Sequence, residues 1–318
     1  MGRRPRPRGP VYDGVLVVDK PAGPTSHDVV ARVRRVVGHT RVGHTGTLDP
    51  AATGVLVLCL GRATRLVPFL QAGEKTYVAR MLLGVETDSQ DADGVVVARR
   101  DAGHLDEDTV CAALAAFQGE VRQIPPMVSA VKVGGERLHV RARRGEVVER
   151  EPRTVTVHSL VLDAFTPGAV AEASFLVTCS AGTYVRTIAH DVGAALGVGG
   201  SLAALRRVAN GAFTVGEAVS PEAVEAAGGP DGVRDLLIDP LTAVRRALPV
   251  VEVEDPDLLQ RLANGASLPA PGVSGEVAAV GVGPAVGGGE KLLGVYTAGQ
   301  DAGDARPAFV WTRPEELA

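Results

Sequence analysis

The strongest constraint in this chain is a polar loop fused directly to a buried strand. Residues 43–54 read Gly-His-Thr-Gly-Thr-Leu-Asp-Pro-Ala-Ala-Thr-Gly, with three glycines, three threonines, one proline and a single acid, Asp49. Glycines in such a run supply positive φ or let another group come close. Val55-Leu56-Val57-Leu58-Cys59-Leu60 follows without a spacer, a continuous apolar run that reads as a buried strand. A loop anchored in this way can hold reactive groups in place. Asp49 precedes a proline, which biases its backbone to extended geometry and presents its side chain. The residues alone leave two readings of Asp49 open: an Asp-Pro turn and a positioned carboxylate nucleophile.

Around this loop the pattern alternates strands and helices. Residues 14–19 form a short apolar strand, and Lys20-Pro21-Ala22-Gly23-Pro24-Thr25-Ser26 a loop. Ser26 is expected as the N-cap of a helix that carries Val29, Val30, Val33, Val36 and Val37 on one face and closes at Gly38. Arg62 and Arg65 either touch phosphates or lie exposed. Residues 75–83 alternate, with Tyr77, Ala79, Met81 and Leu83 on one face. By periodicity alone Tyr77 sits half-buried at a strand end, its hydroxyl in water. Residues 87–94 are acid-rich and loop-like, but lack the downstream glutamate of a calcium-binding EF-hand. A strand at 95–98 and a helix over 106–118 follow. Gly134-Gly135 marks a hairpin between 129–133 and 136–140, succeeded by a basic helix-like run.

Strands are expected at 153–165 and 173–180, then a helix on Val185, Ile188, Ala189, Val192 and Leu196. Arg186 lies in the first turn of that helix, where the helix dipole disfavours a cation. It therefore needs a carboxylate partner, and Asp49 is the candidate. Leu205-Arg206-Arg207 precedes a strand near 212–215, and from Pro249 a small β-rich module begins.

With 318 residues the chain can bury a sizeable core and is read as two domains. Its net charge of −4 argues against a nucleic-acid partner, but the charge is unevenly spread. Residues 20–41 hold five basic side chains and one acid, 132–150 six and three, and 217–261 four and ten. Such a distribution can give one basic working face. Cys59, Cys111 and Cys179 form no CxxC pair, which argues against a disulfide framework or a zinc site and fits a reducing cytosol. No apolar run is long enough to span a membrane. The sequence lacks G-x-S-x-G, a phosphate loop, and the His-x-Glu with Cys-x-x-Cys of a zinc deaminase. The loop at 43–54 offers one carboxylate where a glycosidase normally uses two.

Residues 43–54 closely resemble the signature of the tRNA pseudouridine synthase B family. The resemblance extends to Lys-Pro-x-Gly-x-Thr-Ser at 20–26, Glu74-Lys75-Thr76-Tyr77, and Pro-Pro-x-x-Ser-Ala-x-Lys-x-x-Gly-x-Arg-Leu from Pro125. It continues in Ser-x-Gly-Thr-Tyr-x-Arg-Thr from Ser180 and in Leu205-Arg206-Arg207. Val128 and His139 depart from it, standing where the family often carries aromatics.

The resemblance implies an α+β protein with a mixed, mainly antiparallel sheet. It implies a catalytic domain at 11–248 with an RNA-gripping thumb at about 121–152 and a PUA-like RNA-binding domain at 249–318, while the Arg/Pro/Gly-rich composition of 1–10 reads as a disordered basic tail. The implied activity is isomerisation of the T-loop uridine, position 55 of tRNA, to pseudouridine on a flipped-out base. Asp49 would be the nucleophile, attacking C1′ or C6, and Arg186 would keep it ionised. Tyr77 would stack on the uracil and relay the C5 proton. Tyr184 and Leu205 would sandwich the base or ribose, His44 would fill the gap left by the flipped base, and Lys20 would support the site. Lys132, Arg137, Arg141, Arg143 and Arg144 would grip the RNA backbone. No cofactor and no metal are expected. The expected partner is the tRNA T stem-loop, with no membrane and no protein partner, for a cytoplasmic monomer. Two other readings stay open: a non-catalytic tRNA-binding or folding protein, and a pseudouridine synthase with another RNA target.

Overall fold

The structure, a computed structural model, describes residues 11–39, 41–127, 132–133, 136–137, 141, 144, 146, 148–300 and 303–317. The expected tail at 1–10, the hairpin glycines Gly134 and Gly135, Val128, His139 and Arg143 lie outside the described residues. In chain order the first half comprises β1 (Gly14–Lys20), α1 (Ser26–Val37), β2 (Val42–His44), β3 (Thr53–Leu60), α2 (Val67–Gln71), β4 (Lys75–Leu83), β5 (Val85–Thr87), β6 (Val96–Arg99), α3 (Glu107–Ala115), β7 (Gly119–Gln123), β8 (Lys132–Val133) and β9 (Glu136–Arg137). The second half comprises β10 (Arg153–Thr166), β11 (Ala171–Cys179), α4 (Val185–Ala195), β12 (Gly200–Asn210), β13 (Phe213–Thr214), α5 (Pro221–Ala226), α6 (Pro230–Arg234), α7 (Pro240–Ala247), β14 (Val250–Val253), α8 (Pro256–Ala263), β15 (Gly275–Gly283), β16 (Gly289–Ala298) and β17 (Arg306–Val310).

One large sheet runs in the order β1-β3-β12-β4-β11-β10-β7, with β2 on β3 and β13 on β12. Its pairs are antiparallel except β3 with β12, which meet in parallel at Thr53–Arg206 and Gly54–Arg207. The alternation of β4 decides which face is covered. Tyr77, Ala79, Met81 and Leu83 join Phe175 and Val177 of β11 in a core roofed by Val110 and Leu114 of α3 and Ile188 and Val192 of α4. The sheet is therefore mixed and mainly antiparallel, and the loop that precedes β3 meets the first turn of α4.

Three local details differ from expectation. Thr25, not Ser26, caps α1: its hydroxyl accepts from the Asp28 N–H at 3.1 Å, and its own N–H donates to the Asp28 carboxylate at 2.8 Å. This reciprocal capping box frees Ser26 for another partner. The strand expected near 212–215 is present as the short β13, but a longer strand, β12, precedes it, so Leu205-Arg206-Arg207 lies inside one strand as well as before another. Register shifts at Leu202/Ala204 and Arg207/Ala209 break the alternation of β12 and hide it from a period-two reading. The helix expected over 106–118 is shorter, capped by Asp106 and spanning Glu107–Ala115.

The C-terminal strands form a second sheet, β14-β15-β16-β17, with β14 and β15 parallel. It is built onto the large sheet. Val15, Val17, Val55 and Val57 share one apolar cluster with Ala243 and Val244 of α7 and with Ala278, Leu292, Val295 and Phe309. Arg62 and Arg65 staple this contact rather than reach for phosphate. Arg62 pairs with Glu316 at 3.0 Å and stacks 4.9 Å from the Trp311 ring. Arg65 donates to the Val310 carbonyl at 3.0 Å and stacks 4.6 Å from the Phe309 ring. Among the described residues no helix is long and apolar enough to cross a membrane.

A shared core predicts shared unfolding. Phe309→Ala is expected to cost about 3–5 kcal/mol and to lower one cooperative calorimetric transition. Two separable transitions in the unmodified chain would contradict the shared core.

Candidate active site

The loop at 43–54 is braced through its own backbone. Lys20, the last residue of β1, is fully buried beneath it. Its Nζ donates to the carbonyls of Pro21 at 2.9 Å, Pro50 at 3.0 Å and Ala52 at 2.7 Å. Three carbonyls match the three N–H groups of an ammonium. Burial pushes the Lys20 pKa down to about 8, with the nearby Asp49 charge opposing. Ser26, released from capping, takes both polar groups of Leu48: its Oγ accepts from the N–H at 2.8 Å and donates to the carbonyl at 3.0 Å.

Arg207 grips the loop from the opposite side. Its Nε donates to the Val55 carbonyl at 2.7 Å, and its guanidinium reaches the carbonyls of Gly46 at 3.0 Å and Thr47 at 3.4 Å. Gly54 permits this crossing: its φ is +100°, and a Cβ there would lie 2.1 Å from the Arg207 carbonyl oxygen. The loop is thus fixed on both flanks while the Asp49 side chain, 52% exposed, faces the opening between them.

Asp49 stands 3.1 Å from Arg186 Nη2, and Asp91 stands 3.1 Å from Nη1 of the same guanidinium. Arg186 is almost wholly buried, in the first turn of α4. Asp91 is itself held, its Oδ1 accepting from Ser89 Oγ at 2.6 Å and from the Asp93 N–H at 3.2 Å. Its turn is tied to β12 by the Leu202 N–H to the Gln90 carbonyl and the Ala92 N–H to the Leu202 carbonyl, both at 2.9 Å. The acid-rich segment at 87–94 therefore delivers a second carboxylate to the arginine. Burial raises the Asp49 pKa, Arg186 pulls it back, and Asp91 pushes it up again.

Asp49 opens onto a cleft of about 290 Å³. Tyr77, Tyr184, Leu205, Lys75 and Arg207 line the same cleft. Tyr77 is 8% exposed, more buried than a strand-end tyrosine would be, because β4 sets it between Val177 and Arg207. Burial pushes its phenol pKa up, with Arg207 opposing. Two candidates lie outside the lining. Lys20 is the brace just described. His44 meets the His27 ring edge-on at 5.5 Å and accepts the Gly46 N–H on Nδ1 at 3.3 Å. Burial, then His27, then Arg207 lower the His44 pKa.

Two basic residues of the insertion share one acid. Arg141 and Arg144 both pair with Glu146, at 2.7 and 3.3 Å. Lys132 and Arg137 are register partners in the β8–β9 pair. A wider depression of about 920 Å³ lies on the C-terminal module beside Asp255 and Arg261 and shares no lining residue with the cleft. Among the described residues no group of three or more His, Cys, Asp or Glu side chains could hold a metal ion.

Sequence reasoning missed Ser26 as a loop brace, Arg207 as its clamp, Asp91 as the second carboxylate and Lys75 as a cleft residue. Ser26, Lys75 and Arg207 stand within the stretches that carry the family resemblance, but local pattern marks none of these roles. Lys75 is buried, donates to the Gln71 carbonyl at 2.5 Å and to the Gly73 carbonyl, and is pushed down to about 8 by that burial.

Known proteins resemble this chain over most of its length. Residues 34–185 match the N-terminal domain of the TruB family pseudouridylate synthases, and residues 186–242 match the tRNA pseudouridylate synthase B C-terminal domain. The chain is 47% identical over 271 residues to a tRNA pseudouridine synthase B of Thermobifida fusca, covering 83% of this chain and 89% of that one. It is 51% identical over 226 residues to one from Symbiobacterium thermophilum, covering 71% and 76%. It superposes on a chain in the crystal structure of a Cbf5-Nop10-Gar1 complex with a TM-score of 0.72 at 27% identity. That superposition covers 96% of this chain and 86% of the other, a share that takes in most of the β14–β17 module.

The bracing of the loop predicts a cost for its loss. Ser26→Ala strands a buried N–H and a buried carbonyl of Leu48, and is expected to lower stability by about 1–3 kcal/mol in urea denaturation. A neutral substitution would show that the loop does not depend on this brace.

Proposed function

The chain belongs to the TruB family of pseudouridylate synthases, and from that membership we infer that it is the isomerase converting the T-loop uridine, position 55, of tRNA to pseudouridine. The reaction breaks the N1–C1′ bond, turns the uracil and joins C5 to C1′. The C5 proton is lost and N1 is protonated, so composition is unchanged and no redox partner is required. One observation carries the assignment of roles: an Asp49 carboxylate paired with a buried arginine, on a loop whose backbone is held from both sides, at the mouth of a cleft about the size of one nucleoside.

In this reading Asp49 attacks the uridine and must be ionised to do so. Closing RNA over the cleft strengthens the desolvation that already raises its pKa, and the charge-assisted contact with Arg186 opposes it. Asp91 fixes the other edge of the guanidinium. Tyr77 is kept as a neutral phenol by its burial, which favours a platform against the uracil face over a phenolate base for the C5 proton. Tyr184 and Leu205 are the walls that retain the freed uracil. Lys20 acts on the loop rather than on RNA.

The target uridine must leave its stack, at a cost of a few kcal/mol. His44, beside His27 at the start of the loop, is suited to meet the space it vacates. The insertion at about 121–152, with Lys132, Arg137, Arg141, Arg143 and Arg144, is the thumb that grips the RNA backbone. The module at 249–318 is a PUA-like RNA-binding domain, attached rigidly by Arg62 and Arg65. The protein acts as a cytoplasmic monomer on tRNA, without a cofactor.

The test is tritium release from tRNA labelled at uridine C5, with the modified position mapped. The wild-type protein is expected to release tritium from the T-loop uridine alone, and Asp49→Asn to lose at least about 10⁴-fold in rate. Tight tRNA binding without release by the wild type would instead favour a binding or folding protein. Release from another RNA only would favour a different target. Because the Asp49 pKa is raised and its ionised form is required, the rate should fall with decreasing pH at values above the usual carboxylate range.

A further inference from the structure

Gln123 is the last residue of β7 before the insertion. Its register partner is Arg153, the first residue of β10 after it. The chain therefore leaves the sheet at Gln123 and re-enters directly opposite, so this pair is the root of everything at 124–152. A second tie joins the two limbs just beyond, where Arg150 Nη1 donates to the Pro125 carbonyl at 3.0 Å.

The Gln123 side chain is 1% exposed and does not bond within its own strand. Its Oε1 accepts the Tyr184 N–H at 2.9 Å, and its Nε2 donates to the Tyr184 carbonyl at 3.2 Å. A single residue offers one backbone donor and one acceptor, so only this orientation of the amide satisfies both. Tyr184 is the N-cap residue of α4 and has no side-chain cap of its own. Its carbonyl also receives the N–H groups of Thr187 at 3.1 Å and Ile188 at 3.2 Å, which start the helix. Arg186 lies between Tyr184 and Thr187 in the same turn, its guanidinium 5.8 Å from the Tyr184 ring. One amide thus fixes a cleft wall and the turn that carries the arginine.

Resting on the pseudouridine synthase reading, we infer that Gln123 is a positioning residue that couples the root of the RNA-gripping insertion to the first turn of α4. Seating of RNA on the insertion is thereby transmitted to the placement of Arg186 against Asp49. Gln123 is not among the residues that line the cleft. Its effect runs through the Tyr184 backbone. The charged groups that face Asp49 and report on this placement are Arg186, Asp91, Lys20 and Asp93.

The test compares wild type, Gln123→Met and Gln123→Glu in single-turnover pseudouridine formation on tRNA across pH, with tRNA affinity and thermal melting measured alongside. Gln123→Glu keeps the side-chain volume and the acceptor for the Tyr184 N–H, but sets an anionic oxygen against the Tyr184 carbonyl. It carries the test if Gln123→Met fails to fold. The expected result is a rate lowered by about 10–100-fold with tRNA affinity within about twofold of wild type. The acid limb of the rate should also move to higher pH, because a displaced Arg186 no longer offsets burial at Asp49. A merely structural amide would lower the rate at every pH in step with the folded fraction and leave the limb in place. That outcome, or variants indistinguishable from wild type, overturns the coupling. Failure of the wild type itself to form pseudouridine would instead overturn the underlying reading.

Discussion

A guanidinium held between two carboxylates is the interaction on which the rest of this structure depends. Arg186 is nearly buried and sits in the first turn of a helix, where both desolvation and the helix dipole oppose a cation. Asp49 and Asp91, each at 3.1 Å, make that position tenable. The two acids differ in freedom. Asp91 is fastened by Ser89 and the Asp93 backbone, whereas Asp49 is open to the cleft on a braced loop. The arrangement leaves one carboxylate as support and the other available for chemistry.

Such a triad works only if the loop cannot drift. Lys20, Ser26 and Arg207 hold it through its backbone, which leaves the Asp49 side chain out of the bracing. The parallel meeting of β3 and β12 at Gly54 and Arg207 makes this possible, because it brings an arginine from a distant strand beneath the loop. The same β12 carries Leu205 into the cleft and anchors the turn of Asp91. A single strand therefore joins the walls, the clamp and the second carboxylate.

What was legible in the sequence was mainly what local pattern encodes. The loop and buried strand at 43–60, the alternating face of β4 that carries Tyr77, and the valine face of α1 all follow from periodicity and turn chemistry. The need of Arg186 for an acid was legible from its place in a first turn. Asp91 was not, because nothing in an acid-rich turn indicates that it folds back onto a distant helix. β12 was obscured by its two bulges, and Arg207 with it. Ser26 looked like a cap because Thr25, one residue earlier, could serve equally well and does. Arg62 and Arg65 looked like surface charges because their partners, Glu316, Trp311 and Phe309, lie at the far end of the chain.

The measurement that tests this account most directly is the titration of the Asp49 carboxyl itself. Carbon-13 NMR of protein labelled at aspartate Cγ, with Asp49→Asn to assign the resonance, would follow it in wild type and in Arg186→Gln. The account predicts that Asp49 titrates above the usual carboxylate range yet is ionised at neutral pH in the wild type, and that it titrates higher still without the arginine. An ordinary value, unchanged by Arg186→Gln, would contradict it, because the guanidinium would then not be what governs the charge on Asp49.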